Sequence, residues 1–321
     1  MRSPRTLVVA ILVAATACGG GGESSPPDAA PAPDAASSPD ATVDAGPVER
    51  PTKLSQTGLY SDFAARTVAP GHQEFTPAYV LWSDGAVKHR WLKLPPGGSI
   101  DKSDPDHWLF PIGTRLFKEF ASPDGKRLET RLIERTGPGA MDYWMGSFVW
   151  NDDETEATFK VDGAEDIRGT DHDAPAQQMC WSCHVGEPGR ILGNSAVQLG
   201  ATAPGPPEVA AALGYLHANC GHCHSDTGVA RPDTDQILRL SVAETTPEST
   251  RIYQTTIGKV LSIYRDPSGE VYYRVAPGDP EHSGIFVRPS VRGDKRQMPP
   301  IATEHPDEAG LGILRDWIEN L

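Results

Sequence analysis

Positive charge is in short supply in this 321-residue chain: 29 lysines and arginines stand against 43 aspartates and glutamates, a formal net charge of −14. Nucleic acid and anionic lipid surfaces would repel such a chain, so both are excluded as partners. Cysteine is scarce as well, with five residues in all, too few and too unevenly placed for a disulfide scaffold. There is no glycine-rich phosphate loop and no HExxH, which removes common nucleotide and zinc-protease signatures. The apolar run near the N-terminus, Leu7 to Ala17, is too short to cross a bilayer.

That run follows Arg2 and Arg5 and therefore reads as an export signal over residues 1–17. Ala15-Thr16-Ala17 before Cys18 resembles a bacterial lipoprotein cleavage box, with Ala15 where such boxes usually carry Leu. The resemblance implies a lipidated Cys18 as the first mature residue and, since no Asp follows it, an outer-membrane anchor facing the periplasm. An ordinary secretory signal is the plainer alternative. Loss of Arg2 and Arg5 takes the charge from −14 to −16, a field that could steer a basic redox partner, although solubility explains it more simply. Residues 18–50 then form a Pro/Ala/Asp tether with no core-forming side chains, "SPPDAAPAPDAASSPDA" at its centre. Its reach is ~30 Å as a coil and ~95 Å if extended by proline.

Residues 51–170 alternate apolar and polar side chains in "HRWLKL", "GTRLFKEF", "LETRLIER", "GSFVWN" and "ATFKVDG", separated by turn clusters such as "PPGG" and "SPDGK". The expectation is a β-rich, sandwich-like or barrel domain. Its aromatics, among them Trp82, Trp91, Trp108, Tyr143, Trp144 and Trp150, suit either a core or a sugar-stacking platform, the core being the commoner use. Residues 171–206 form a connecting segment, and 207–321 change character. Val209, Leu213 and Leu216 recur at helical spacing, as do Leu311, Leu314, Trp317, Ile318 and Leu321, with Asp307 placed as an N-cap. Between them "STRIYQTTIG" and "EVYYRVAPGDP" read as inserted strands. The whole is an α+β, multidomain expectation.

Four of the five cysteines fall in two Cys-x-x-Cys-His pentads, "CWSCH" at Cys180–His184 and "CGHCH" at Cys220–His224. Chance gives the pattern about 0.002 times in a chain of this composition. Two thiols three positions apart can add to the two vinyl groups of one haem, and the next residue's imidazole then ligates the iron. The reading is two covalently attached haems c: Cys180, Cys183 and His184 hold one, and Cys220, Cys223 and His224 hold the other. A single zinc on four thiolates is the competing reading. It leaves both histidines unexplained, and the 36 residues between the pairs exceed the usual spacing. Met298, in "RQMPPI", is the expected sixth ligand opposite His224, where a thioether raises the potential. For the first haem, His172 in "TDHDAP" is a candidate axial ligand, with His107, Met141 and Met145 as others.

The order of helix, "CGHCH", "QMPP" and a final helix with "LRDWI" resembles a class I cytochrome c carrying a long insertion. The resemblance implies that the first and last helices cross, with Gly214 and Tyr215 near Trp317, and that Pro232 supports the proximal imidazole. From about Thr76 onward, "LWSDGAVKHRWLKLPPGGSI", "WLFPIGTRLFKEF", "FVWNDDETEA", "QMCWSCH" and "YLHANCGHCH" are also similar to a family of exported bacterial diheme proteins of unassigned function, with a β-rich domain ahead of both motifs. The leading expectation is electron transfer with periplasmic redox partner proteins and no substrate chemistry. A peroxidase-like diheme oxidoreductase with an open first haem, and a β-domain binding module coupled to a cytochrome, are the alternatives.

Overall fold

The computed structural model describes residues 49–262 and 269–321. The export signal, Cys18 and most of the tether lie outside the described residues. Two short strands, β1 (Tyr60–Asp62) and β2 (Thr67–Val68), form a hairpin. Six more form one antiparallel sheet in chain order: β3 (Gln73–Glu74), β4 (Val87–Lys93), β5 (Arg115–Ala121), β6 (Arg127–Arg135), β7 (Tyr143–Trp150) and β8 (Ala157–Phe159). Helices follow: α1 (Cys180–His184), α2 (Ala196–Leu199), α3 (Pro207–Asn219), α4 (Arg251–Thr256), α5 (Gly284–Val287) and α6 (Glu308–Glu319).

Register explains how the sheet serves two environments. Trp91, Phe117 and Leu132 stand opposite one another across β4, β5 and β6. With Phe148 and Trp150 they pack on Leu54, Leu59 and Tyr60 from the chain ahead of the sheet. Residues one position along point the other way. There Leu92 and Leu116 pack with Trp108, Phe110 and Ile191, the last from the segment just after α1. Both faces are therefore covered. The expected sandwich is not what forms: among the described residues the only other sheet is the β1–β2 hairpin, and loops and short helices make the facing layers. A second sheet needs a second set of long strands, and among the described residues no strand follows Phe159. Trp91, Trp108 and Trp150 are buried, which is the core use of these aromatics.

The helical part is built on α3 and α6. Leu213 and Leu216 of α3 meet Leu311, Leu314, Trp317 and Ile318 of α6 in one core. Each such side chain contributes ~1.5–3 kcal/mol on full burial. Asp307 caps α6 as expected, its Oδ1 accepting from the Gly310 amide at 3.0 Å. Tyr215 of α3 packs on the core that contains Trp317 and lies over Gly310 of α6, Gly214 lies under the ring of Tyr79, and Trp317 donates to the Tyr253 hydroxyl at 3.1 Å. Of the expected inserted strands, "STRIYQTTIG" instead holds α4, because Thr250 caps it by accepting from the Tyr253 amide at 3.2 Å. "EVYYRVAPGDP" makes only isolated bridges, Ile257 with Val275, and Tyr273 with Val260 and Ser283. Among the described residues no helix is long and apolar enough to cross a membrane.

Sheet and helices share one unit, Glu49–Leu321. The Ala78 amide donates to the Gln198 carbonyl at 2.8 Å, and the Ala203 amide to the Tyr79 hydroxyl at 2.9 Å.

Candidate functional site

The first pentad is itself a helix, α1, so Cys180 and Cys183 share a face at i and i+3. His184 closes the helix and is held by its Nδ1–H, which donates to the Arg190 carbonyl at 2.6 Å. That bond leaves Nε2 as the lone-pair nitrogen. Arg190 is anchored in turn, its Nε donating to the Ala140 carbonyl at 2.9 Å and a terminal nitrogen to the Glu187 carbonyl at 2.9 Å. Burial lowers the His184 pKa to about 4, so the ring is neutral and free to ligate at neutral pH.

The second pentad begins where α3 ends. Cys220 caps the helix, its amide donating to the Leu216 carbonyl at 2.9 Å, and its side chain packs against the helical core. Burial pushes that thiol up to about 12. The His224 carbonyl accepts from the Leu238 amide at 2.8 Å. Its Nδ1 is buried without a hydrogen bond, beside the main chain of Gln236. Burial, with Arg288 and Arg274 nearby, holds the His224 pKa at about 4. The Met298 amide donates to the carbonyl of the same Arg288 at 3.0 Å. The Met298–Pro299 bond is cis.

The two pentads touch. A Cβ added to Gly186 would lie less than 3.0 Å from the His222 carbonyl, so only glycine permits the approach. Thr227 Oγ1 donates to the Gly186 carbonyl at 2.9 Å, and the Cys223 thiol lies 3.7 Å from the Ser182 carbonyl. Cys183, His222 and Cys223 offer ligand atoms within 4.8 Å of one another. The neighbouring Cys223, with help from His222 and against burial, holds the Cys183 thiol well below its usual value. Cys180 and Cys220 do not join that group, so the four thiols do not converge as a single zinc site would require. A buried ion pair locks the arrangement: Arg239 grips both oxygens of Glu187, one of them at 3.1 Å.

Between the pentads and the sheet lies a cavity of 260 Å³. Cys180, Cys183, His184 and Cys223 line it, as do His172, Met145 and His217. His217 is not a ligand candidate, because its Nδ1 accepts from the Leu240 amide at 3.0 Å and its neutral ring then carries a proton on Nε2. Two thiols on one helix face, an imidazole with an unclaimed Nε2 and an apolar wall suit a covalently held haem at the first pentad. The second offers the same donor set with its thiol Cys220 turned into the helical core.

Of the residues considered for the first axial position, His172 and Met145 line the cavity, whereas His107 and Met141 do not. His107 bonds Asp104 at 2.9 Å, and Met141 lies exposed beside Arg190. His172 is buried and its Nε2 is engaged by Glu129 at 2.9 Å, so it would have to surrender that bond to ligate through the same nitrogen. Sequence reasoning missed Arg90, Lys118, Arg131 and Ser147, which share the cavity. They lie on four strands, and only pairing register brings them together. Comparison of the chain with family models, curated proteins and solved structures gave no match in any of the three.

Proposed function

We propose that this chain is an exported diheme c-type cytochrome that transfers electrons between periplasmic redox partners, with the second haem ligated by His224 and Met298. The contact between the pentads supports the reading: Gly186 lies against His222 and Cys183 against Cys223, and haems attached at both pentads would be close enough for electron transfer between them. Haem supplies an iron that gains and loses one electron. The chain's residues do the rest. Cys180, Cys183, Cys220 and Cys223 tether, and His184 and His224 present neutral imidazoles. The Arg190 carbonyl orients His184, and the Glu187–Arg239 pair holds the two segments at fixed separation. The packing of α3 on α6 around the second pentad supports a cytochrome c-like helical part, and a lipidated Cys18 would keep the protein at the outer membrane.

Whole-protein mass after export in a host with haem-maturation machinery tests the proposal. The expected gain is two haems. A Cys180→Ser/Cys183→Ser chain should gain one. A colourless chain, or one carrying zinc, would refute it.

The cavity favours a second reading, a diheme oxidoreductase in which the first haem keeps an open face. His172 and Met145 both line that space, but His172 is tied to Glu129. Cyanide binding to the resting ferric protein would favour this reading, and a wholly low-spin, cyanide-inert spectrum the first.

A further inference from the structure

Across four strands the register sets Arg90 opposite Lys118, Lys118 opposite Arg131, and Arg131 opposite Ser147. Three cations thus stand abreast on one face of the sheet, where directly opposed like charges destabilise. One is answered: Arg131 binds both oxygens of Glu129, at 2.7 and 2.8 Å. The other two, Arg90 and Lys118, have no carboxylate partner among the described residues, although Arg90 is only 6% exposed. Lys88, one row along, adds a further cation, whose ammonium donates to Ser83 Oγ at 2.8 Å. Glu129 is the one carboxylate bonded to the row itself; the cavity is also lined by Asp84, Asp171, Asp173, Glu187 and Glu304, of which Asp84 acts on Lys88. Burial, with Arg90, Arg131 and Lys88 alongside, pushes the Lys118 ammonium well below its ordinary value, and Glu129 opposes this.

At the end of the row Ser147 is 1% exposed and its Oγ is buried without a hydrogen bond. A buried hydroxyl is rarely left unpaired. All four side chains line the 260 Å³ cavity. The neighbouring row on the same face is wholly apolar: Leu92, Leu116, Ile133 and Met145, again opposite one another. The part of the cavity wall that the sheet forms is thus divided into a cationic strip ending in a hydroxyl and an apolar strip beside it, while the carboxylates lie on the other elements.

We infer that Arg90, Lys118, Arg131 and Ser147 bind the carboxylate of an amphipathic ligand whose apolar body lies against Leu116, Ile133 and Met145. Guanidinium groups match a carboxylate in geometry as well as charge, and the Ser147 hydroxyl gains its missing partner. Two sources offer this chemistry: a free monocarboxylic acid, and the propionates of a haem attached at Cys180 and Cys183. The inference rests on sheet register and stands whether or not haem is attached.

The test uses the purified, exported full chain and its Lys118→Met and Arg90→Met variants. Hexanoate is the probe, hexanamide the neutral control, and haem content is read separately by mass. If the occupant is a free acid, hexanoate raises the thermal midpoint of the wild type and hexanamide does not, and either variant binds hexanoate at least tenfold more weakly. If propionates fill the row, hexanoate has no effect. Lys118→Met then lowers the thermal midpoint and shifts the redox midpoint of the attached haem. Without hexanoate binding, an unchanged or higher thermal midpoint in Lys118→Met overturns the inference, because that is the effect of removing a partly buried ammonium that has the Phe120 ring at 4.8 Å but no carboxylate partner. A lower midpoint with neither hexanoate binding nor haem overturns it too, by assigning the row a purely structural role.

Discussion

The carbonyl oxygen of His222 rests against the Cα of Gly186, so close that a methyl group on Gly186 has no room. His222 belongs to one pentad, and Gly186 lies two residues beyond the other. This approach brings the two pentads, with their histidines and thiol pairs, side by side.

Gly186→Ala should therefore push the pentads apart. Forcing a methyl group into a packed backbone contact costs about 1–3 kcal/mol. Urea unfolding of the purified chain checks this. A stability equal to wild type would mean that the pentads are not held together at this point.

If Met298 ligates the second haem as proposed, Met298→Ala should abolish the methionine-to-iron absorption band of the ferric protein while leaving the haem count unaltered. Met298 sits beside the Arg288 carbonyl, and Arg288 is a cation near His224. An unchanged band would show that another residue ligates opposite His224.

Glu154 supplies a pH-dependent contribution through its arginine partners. Burial alone would raise its pKa, but bonds from Arg168 at 2.8 Å and Arg127 at 3.1 Å, with Arg66 nearby, bring it down to about 2. Its folded-state pKa is depressed, so the stabilisation is complete above the ordinary value of 4.5 and is lost as pH falls from there through about 2. Allowing for solvent screening, Glu154→Gln should cost about 1–2 kcal/mol at neutral pH. The difference should vanish near the acid end, as chemical unfolding at several pH values would show.

His217 acts in the same acid range for the opposite reason. Burial, with Arg239 and His222 nearby, lowers its pKa from 6.5 to about 3, so the folded chain binds fewer protons there than the unfolded chain. Stability falls as pH drops below 6.5 and stops falling on this account below about 3. His217→Asn keeps an acceptor for the Leu240 amide and removes the titration. The acid-side slope of stability against pH should shrink by ~1.4 kcal/mol per pH unit. An unaltered slope would mean that His217 is not held neutral.

Local pattern was enough to read the strand segments of 51–170, the helices α3 and α6, and the Asp307 cap, because each depends on side chains a few positions apart. It failed for "STRIYQTTIG", which read as an inserted strand, whereas the Thr250 cap decided for α4. The sandwich expectation failed because alternation tells which residues share a face but not what covers that face.

The sequence alone determined the chemistry on offer: two thiol pairs, each followed by an imidazole, since that spacing is covalent and local. Only the tertiary structure decided what those groups meet. It brought Gly186 to His222 and Cys183 to Cys223 across some forty residues, tied His172 to Glu129, and aligned Arg90, Lys118, Arg131 and Ser147 by strand register. The physical reason is that a charge row across a sheet has no signature along the chain. Its members lie on separate strands, and a slip of one residue in pairing would turn each strand's cation to the opposite face.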